Sequence, residues 1–264
     1  MSELNARFRA RIGLPENEEI SFDSLDRVLE RTAFAIPFEN LRIMERRTGE
    51  ITMPNLMHQI LDNGEGGVCY ELNTILYGFL RDNGFDVALT RGVVYNYEAG
   101  AYSALGRTHV TILLNHGGQP YLVDTGFGGN LPLTPVPLTG EVATSRNGAF
   151  RIPSGDGEPG EHVLEVMLKH KHNEWKIGYA FDPGKLMTDL AECNDIQHTI
   201  AEHEQSAFNK NPLVTKLTPR GSITVTDSSL TRWVDGVMTK EPIDRDRFRL
   251  LLREEFGLGL QAPR

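Results

Sequence analysis

The sequence predicts an α+β fold in three consecutive parts: a helical bundle over 1–84, an antiparallel sheet or small β-barrel over 85–184, and an α/β segment over 185–264. Two changes in hydrophobic period indicate these parts. Apolar residues recur at helical spacing up to about residue 83, and short runs rich in β-branched and aromatic residues follow. Near residue 185 the helical spacing returns, and further strand-like runs come after it.

Three helices are predicted in the first part. The segment "SFDSLDRVLERTAFAI" carries Leu25, Val28 and Leu29 at positions i, i+3 and i+4. The segment "MPNLMHQILDN" repeats this spacing. A third helix is predicted from Cys69 through "YELNTILYGFLRDNG", where the Asn-Gly pair that ends at Gly84 is a typical C-terminal signal.

The second part contains five strand-like runs that are separated by Gly, Pro or Asn: "FDVALTRGVVYNYEAG", "THVTILLN", "PYLVDTGFG", "EHVLEVMLKH" and "EWKIGYAF". The third part predicts a helix in "GKLMTDLAECNDIQHTIAEHEQ" and a last helix near "DRDRFRLLLREEF". Between these helices lie three predicted strands, "LVTKLT", "SITVTD" and "LTRWVDG".

Composition excludes several classes of protein. The 264 residues carry a net charge of −9, which argues against a broad nucleic-acid interface. No apolar run is long enough to cross a membrane, and the polar N-terminus does not resemble a signal peptide. With two cysteines, a disulfide scaffold is not expected, so we expect a cytoplasmic protein. The oligomeric state does not follow from the sequence.

One of the two cysteines stands at a chemically favourable position. In "GEGGVCYELN", Cys69 follows a double glycine and begins a predicted helix. Glycines let a backbone approach a ligand closely, and the unpaired N–H groups of a helix start favour a thiolate and can hold an oxyanion. The alternative is a small apolar residue at a helix start, and the sequence around Cys69 alone leaves both interpretations open.

A histidine and an acid that could serve this thiol lie in one predicted hairpin. The segment "THVTILLNHGGQPYLVDTG" reads as strands 108–114 and 120–124 around a turn near Gly117. This register places His109 opposite residue 124 or 125, so that His109 and Asp124 are cross-strand or diagonal neighbours. Each residue alone has an ordinary structural explanation, but their joint placement favours a triad of Cys69, His109 and Asp124.

These motifs resemble those of the arylamine N-acetyltransferases. The matching blocks occur in order through most of the chain: "IPFENL" (36–41), "GGVCYELN" (66–73), "THV" (108–110), "YLVDTGFGG" (121–129) and "FNKNPLVTKLTPRG" (208–221). The resemblance implies a helical bundle, a β-barrel and an α/β lid around a cysteine-protease-like catalytic core. It also implies ping-pong transfer of an acetyl group from acetyl-CoA, through Cys69, to an arylamine, arylhydroxylamine or hydrazine nitrogen. No metal is implied.

The resemblance also assigns residues to substrate binding. Phe38 and Phe127 match positions that face the acceptor pocket, where aromatic walls suit a flat amine. Val93 and Tyr95 precede the histidine hairpin and are expected to line the same cleft. Phe208 is expected near the mouth of the site, in contact with pantetheine or the acceptor.

Contacts with CoA are expected in two places. Thr108 and Gly126 adjoin the histidine and the aspartate, and they are expected to meet the acetyl or pantetheine end. The segment "FNKNPLVTKLTPRG" holds Lys210, Lys216 and Arg220 and no acid, which suits phosphate binding. An ordinary solvated strand with positive charges is the alternative for this segment.

One residue departs from the family pattern, because Glu65 stands where arginine is common, four positions before Cys69. A carboxylate there either disfavours the thiolate or points outward to a basic neighbour. Cys193 lacks a glycine lead-in and is read as incidental, and "HKH" at 170–172 is read as a solvated turn. Three other functions remain open: an amide synthase on the same scaffold, a non-catalytic binder of CoA or aromatic molecules, and a thiol hydrolase.

Overall fold

The computed structural model describes residues 1–153 and 161–259 of the chain. Five α-helices form its first part: α1 (Glu3–Ile12), α2 (Leu25–Ala35), α3 (Leu41–Met44), α4 (Met53–Leu56) and α5 (Cys69–Asp82). A two-residue strand, β1 (Phe38–Glu39), lies between α2 and α3. The last five residues of the third predicted part and residues 154–160 of the second lie outside the described residues.

Helix α5 is the central helix of the first part. Its apolar side chains pack against α1, α4 and strands of the second part, and most of its residues are buried. Its last residue is Asp82, Asn83 is the C-cap, and Gly84 follows with a φ of 82°, a conformation that favours glycine. The predicted limits of this helix are confirmed.

The helix predicted in "MPNLMHQILDN" differs from expectation. Residues 53–56 are α-helical, but the chain continues as a π-helical turn, Met57–Asp62. Such widened turns are rare and occur frequently at functional sites. This turn carries Gln59, whose amide reaches the loop before α5 and donates to the carbonyl oxygen of Gly66 at 2.9 Å.

The second part is a nine-stranded antiparallel sheet. Its strands are β2 (Asp86–Asn96), β3 (Ala101–Tyr102), β4 (His109–His116), β5 (Gln119–Val123), β6 (Val136–Pro137), β7 (Ala143–Ser145), β8 (Gly148–Arg151), β9 (His162–Leu168) and β10 (Lys176–Leu186). The order is β6-β5-β4-β2-β10-β9-β8-β7, with β3 on the outer end of β2. Because β6 comes back against β8, the sheet nearly closes, which confirms the barrel expectation.

The predicted histidine hairpin is β4–β5. Ile112 pairs with Val123, and the strands are joined by a two-residue turn of Gly117 and Gly118, with φ values of 60° and 79°. Both glycines therefore adopt the left-handed conformation that a tight hairpin turn requires. The turn is tighter than the predicted loop, so β4 runs on to His116 and β5 begins at Gln119. The predicted register was wrong by one or two residues: it continues to place position 109 opposite Gly126, which makes His109 and Asp124 diagonal neighbours.

The third part contains one helix, a second sheet and a covering helix. Its elements are α6 (Glu192–Glu202), β11 (Leu213–Thr218), β12 (Gly221–Thr226), β13 (Ser229–Val234), β14 (Val237–Pro242) and α7 (Arg245–Phe256). The sheet has the order β1-β11-β12-β13-β14 and is antiparallel. Apolar side chains of α7 cover one face of this sheet, where they pack against Val214, Ile223 and Val225 of β11 and β12.

Three local predictions were wrong or incomplete. The helix predicted from about residue 185 begins only at Glu192, because β10 continues to Leu186 along its neighbour β2. Strand β14 was not predicted, since all its residues are exposed and no buried face marks its period. Strand β1 was not predicted either, because two residues carry no period.

The predicted boundaries at residues 84 and 184 stay predictions, and β1 from the first part completes the sheet of the third. Within the described residues, none of the helices combines the length and the apolar character that crossing a bilayer requires.

Candidate active site

Cys69 is the first residue of α5, and the double glycine before it allows a close approach of the backbone to the neighbouring chain. The chain passes so close to a neighbouring strand that a Cβ on Gly66 would lie 2.1 Å from the carbonyl oxygen of Pro37. The thiol is nearly buried and lies 3.5 Å from the carbonyl oxygen of Thr108. The first-turn N–H groups of a helix have no acceptor within the helix, so this end can stabilise negative charge.

His109 is placed by the barrel. It is the first residue of β4 and pairs with Gly92 of β2. Its Nε2 lies 2.7 Å from Oδ2 of Asp124, just after the end of β5, and both side chains are buried. The hairpin thus brings the predicted pair together, and the Cys69 side chain lies close enough to help raise the pKa of the same ring.

The Asp124 carboxylate is surrounded by hydrogen-bond donors. Besides His109, Oδ2 accepts from Oη of Tyr179 at 2.7 Å. The other oxygen, Oδ1, accepts from Nδ2 of Asn73 at 2.8 Å and from the backbone N–H of Gly126 at 2.7 Å. A buried carboxylate with so many donors is held in its ionised form and in one orientation.

The pKa values of this pair move in opposite directions. Burial lowers the pKa of the His109 ring, but the charge and hydrogen bond of Asp124, together with Cys69, outweigh burial and raise that pKa to about 10. Burial raises the pKa of Asp124, but His109, Asn73 and Gly126 outweigh it and leave the pKa below its usual range. The geometry therefore favours an imidazolium beside a carboxylate, with the thiol next to the ring.

Asn73 and Tyr179 are components of the site that the sequence analysis missed. Asn73 lies one helical turn after Cys69 and within "GGVCYELN", so its position on the same helix face was a usable signal. Its Oδ1 also accepts from the backbone N–H of Thr125 at 2.8 Å. Tyr179 comes from β10, and its ring lies 4.4 Å from that of His109. Nothing in the sequence near Tyr179 predicts this long-range contact.

Thr108 and Gly126 both lie beside the thiol. Gly126 packs on the backbone of Cys69, which leaves no room for a side chain, and its N–H is already used by Asp124. Thr108 presents its carbonyl oxygen to the thiol. Both residues thus lie next to the thiol, and their contact with the acetyl or pantetheine end of CoA stays a prediction.

The aromatic residues form two groups. Phe38 and Phe208 contact each other, with ring centroids 5.8 Å apart. Phe127 lies 5.3 Å from His109 and in an edge-on contact with Tyr179. Their role as an aromatic wall for the acceptor stays a prediction.

A cavity of about 300 Å³ opens beyond Phe127. Its walls include Val94, Tyr95 and Gly178, and at Gly178 a shift in the β9–β10 register accompanies close contact with the Phe127 ring. Val94, not the predicted Val93, lines this cavity. The reason is the strand period: adjacent residues of β2 point to opposite faces, and Val94 packs with the barrel interior.

The structure separates the three cations that were expected to bind CoA. Lys210 is exposed near Phe208. Lys216 donates to the backbone oxygen of Glu255 at 2.7 Å, so it faces α7, away from the cleft. Arg220 lies in the β11–β12 turn and pairs with Asp235 at 2.8 Å.

Arg220 belongs to a second, basic cavity of about 110 Å³ between the two sheets. The sequence analysis did not identify its other cations, because they come from distant turns: Arg146, Lys169 and Lys171. Trp233 also lines it, with the Lys171 ammonium 5.3 Å from its ring. We call this the basic cavity. Segment 126–133 runs from the thiol to this cavity, since Gly126 packs on Cys69 and Leu133 lines the cavity. Asn147, which also lines it, donates to the carbonyl oxygen of Gly129 at 3.1 Å.

Two further residues from the sequence analysis have clear surroundings. Glu65 points to a basic neighbour, with an oxygen 2.9 Å from Nη1 of Arg42. Cys193 is buried in α6 against Thr74, and burial raises its pKa to about 11. Among residues 1–153 and 161–259, no group of three or more His, Cys, Asp or Glu side chains is arranged to hold a metal.

Comparison with known proteins connects this geometry to a family. A family model described as N-acetyltransferase matches residues 21–264. The uncharacterized acetyltransferase YvcN of Bacillus subtilis is 39% identical over 221 residues, which cover 84% of this chain and 85% of that protein.

Two solved structures share the fold. An arylamine N-acetyltransferase of Bacillus cereus, described as having a unique Cys-His-Glu catalytic triad, superimposes with a TM-score of 0.91 at 40% identity, over 98% of this chain and 100% of that one. The arylamine N-acetyltransferase of Mycobacterium marinum, solved in complex with CoA, gives a TM-score of 0.83 at 23% identity, over 96% and 92% of the two chains.

Proposed function

Because the chain belongs to the arylamine N-acetyltransferase family of acyltransferases, we propose that it transfers an acetyl group from acetyl-CoA through a thioester on Cys69. The acceptor is the nitrogen of an arylamine, arylhydroxylamine or hydrazine. The observation that supports this most directly is the buried arrangement of Cys69, His109 and Asp124, in which the histidine is bonded to the carboxylate and the thiol lies close enough to act on the same ring.

In the first half-reaction, the Cys69 thiolate attacks the carbonyl carbon of the acetyl thioester. The new C–S bond forms, and the oxyanion of the tetrahedral intermediate lies at the N-terminus of α5, where unpaired N–H groups stabilise it. The bond to the CoA sulfur then breaks. His109 donates its proton to the departing thiolate, so that CoA leaves as a neutral thiol.

In the second half-reaction, the amine nitrogen attacks the acetyl-cysteine. His109, now neutral, accepts the proton that the nitrogen loses, and Cys69 leaves as a thiolate beside the imidazolium. Asp124 stays ionised throughout and fixes the ring so that Nδ1 is directed to the reacting atoms while Nε2 is bonded to the carboxylate. Tyr179 and Asn73 hold Asp124 in place through their hydrogen bonds.

We assign the acceptor to the 300 Å³ cavity beyond Phe127. Its aromatic and aliphatic walls suit a flat ring, since ring contacts of this kind contribute about 0.5–1.5 kcal/mol beyond burial. Phe38 and Phe208 form the opposite aromatic side of the site. Thr108 and Gly126, which lie against the thiol, bound the space for the acetyl group.

We assign the phosphates of CoA to the basic cavity. Its charged lining comprises four cations and one acid, Asp235, on a chain whose net charge is −9. Charge-assisted bonds from Lys and Arg are the strong contacts for phosphate. Segment 126–133 leads from the thiol to this cavity, so a long, flexible donor can place its acyl end at Cys69 and its phosphates there. The mycobacterial relative solved with CoA has the same fold.

The test is intact mass spectrometry after mixing the protein with acetyl-CoA alone. We expect a gain of one acetyl group, which an acceptor such as the arylamine 4-aminosalicylate or the hydrazine hydralazine then removes. Cys69→Ala is the control and should gain nothing. If the wild type shows no adduct and releases no CoA, the proposal fails and an amide synthase with a non-CoA acyl substrate becomes the better reading.

A further inference from the structure

The loop that leads to Cys69 is held by two buried carboxyl groups. Oε1 of Glu39 accepts from the backbone N–H of Gly66 at 3.2 Å. Oε2 of Glu71 accepts from the backbone N–H of Val68 at 2.9 Å. The backbone of Glu39 adds a further bond, since its N–H donates to the carbonyl oxygen of Gly67 at 2.9 Å. Every residue from 66 to 68 is thus bonded to one of these two glutamates.

Glu39 holds two segments with one carboxylate. While one oxygen accepts from Gly66, the other accepts from the backbone N–H of Leu41 at 2.6 Å. The side chain is buried, and 3% of the residue is exposed. An ionised carboxylate accepts strongly at both oxygens, whereas the hydroxyl oxygen of a protonated one is a weaker acceptor and its O–H needs an acceptor of its own. Both backbone bonds are therefore strongest when Glu39 is ionised.

Cations do not neutralise Glu39 as they neutralise its neighbour. Glu65, in the same loop, is paired with Arg42 and also lies 3.5 Å from Nη1 of Arg47. In the part of the chain that the structure describes, no salt bridge joins Glu39 to a cation. The charged or titratable groups that act on Glu39 are Glu71 and Tyr70 of α5, Glu65 of the loop and Arg47 after α3.

The balance of these surroundings makes Glu39 sensitive to ordinary pH. Burial, and then the nearby charge of Glu71, raise the pKa of Glu39, the two backbone hydrogen bonds oppose them, and the result is a pKa of about 7. Gln59 completes the surroundings by bonding both the carbonyl oxygen of Gly66 and the Glu71 carboxylate, the latter at 2.8 Å. Near pH 7 the carboxyl therefore takes up and releases a proton, and the protonated form holds the loop through weaker hydrogen bonds.

We propose that Glu39 is a positioning residue for Cys69: its ionised carboxylate fixes the loop 65–68, and uptake of a proton loosens that loop and lowers the reactivity of the thiol. This rests on the proposed role of Cys69 as the acyl acceptor, but thiol reactivity can be measured without acetyl-CoA. The effect is separate from the pair of His109 and Asp124, which belongs to the barrel and whose hydrogen bonds, among the residues that the structure describes, do not involve the loop 65–68.

The experiment measures the rate of Cys69 alkylation by iodoacetamide from about pH 5 to about pH 9, a range that brackets the Glu39 pKa of about 7 on both sides. Glu39→Gln removes the ionisable group and presents one amide nitrogen that cannot accept. We expect this variant to react about tenfold more slowly than wild type above pH 8, roughly as wild type does at low pH. The wild-type rate divided by the Glu39→Gln rate should rise with pH, with a midpoint near pH 7.

A second variant leaves Glu39 in place and changes a charge near it. Glu65→Gln removes a negative charge that raises the pKa of Glu39, so the midpoint should move to lower pH. The midpoint and not the absolute rate is the readout, because Glu65 lies in the loop and pairs with Arg42. Glu45→Gln is the matched control, because Glu45 also pairs with Arg47, at 2.6 Å, but has no bond to the loop. A ¹³C carboxyl NMR titration of Glu39 gives the midpoint directly.

Three results would overturn the proposal: a Glu39 carboxyl that titrates below about pH 5, a Glu65→Gln midpoint equal to that of wild type, or a rate ratio for Glu39→Gln that is flat with pH. A merely structural role for Glu39 would give that flat ratio. Absence of an acetyl adduct with normal alkylation behaviour would instead contradict the proposed function and leave this inference standing.

Discussion

Gly126 lies in direct contact with the backbone of Cys69. A Cβ atom on Gly126 would be 2.6 Å from the Cα atom of Cys69 and 2.8 Å from Nδ2 of Asn73. Real Cβ atoms do not approach that closely, so the loop after Asp124 and the start of α5 are fitted to each other at this point. The relative position of thiol and carboxylate depends on the absence of one methyl group.

Gly126→Ala should therefore displace the thiol from His109. Because a misplacement of about 1 Å can cost on the order of 100-fold in rate, we expect a loss of that size in Cys69 acylation by acetyl-CoA. The measurement is stopped-flow acylation together with thermal unfolding. Gly129→Ala is the matched control, since nothing lies within 4 Å of its added Cβ. Equal rates in the two variants would contradict the fitted contact.

Asp124→Asn should move the pH dependence of acylation. Burial alone would lower the pKa of His109, and it is the Asp124 charge that raises it, to about 10. Without that charge the imidazolium loses its proton at lower pH. The alkaline limb of the kcat/KM profile should therefore move to lower pH by roughly one unit or more. At neutral pH we expect a loss on the order of 10³–10⁴. An unmoved alkaline limb would contradict the assignment.

Asp124→Glu separates charge from geometry in the same position. It keeps the negative charge but lengthens the side chain, so the bonds to Asn73, Tyr179 and Gly126 cannot all be kept. We expect a smaller loss of acylation than in Asp124→Asn and an alkaline limb close to that of wild type. The Bacillus cereus relative, described as having a Cys-His-Glu triad, shows that a glutamate is compatible with this fold.

The same pair makes stability depend on pH in a defined direction. Since folding raises the pKa of His109 from 6.5 to about 10, its stabilisation is fully present below pH 6.5 and is lost as pH rises through 10. Folding lowers the pKa of Asp124, so its stabilisation is present above its usual pKa and is lost in acid. Chemical denaturation across pH should show both losses, and Asp124→Asn should remove the alkaline one.

Val94→Phe tests the acceptor cavity. The added ring fills space beside Phe127, so we expect KM for an arylamine to rise at least about tenfold while acylation by acetyl-CoA is unchanged. Val93→Phe is the control on the opposite face of β2. If Val93→Phe raises KM more than Val94→Phe does, the sequence-based choice of Val93 was the better one.

Lys169→Ala combined with Arg220→Ala tests the basic cavity. Loss of two cations there should raise KM for acetyl-CoA by at least about tenfold, because bonds to charged groups are among the stronger ones. Acylation by p-nitrophenyl acetate, which has no phosphates, should not change. Lys210→Ala is the control, an exposed lysine outside this cavity. Equal losses with acetyl-CoA and with p-nitrophenyl acetate would show that these cations support the fold and do not bind phosphate.

Local sequence signals were sufficient for the hairpin and the helix that carry the thiol, histidine and carboxylate. Two-residue glycine turns and an Asn-Gly helix end depend on the chain itself, so their positions could be predicted. Tyr179 and the cations of the basic cavity could not be predicted in the same way. They reach their sites only after distant strands pair, and no short stretch of sequence contains that information.

Val93 and Lys216 show a second limit. Each lies in a correctly predicted strand, but a strand alternates its side chains between two faces, and a single sequence does not say which face meets the active site. The face is determined by the pairing of β2 with β10 for Val93 and by the packing of α7 on the sheet for Lys216. Both side chains lie on the face away from the active site.

Strand β1 has a consequence for how the protein is made. Its Phe38 pairs with Thr215 of β11 on one side and bridges to Gly67 on the other. During synthesis from the N-terminus, the loop before Cys69 exists long before β11 has left the ribosome. The nascent chain therefore carries a thiol whose supporting loop lacks its outer strand, and acyl transfer should switch on only when the C-terminal sheet has formed.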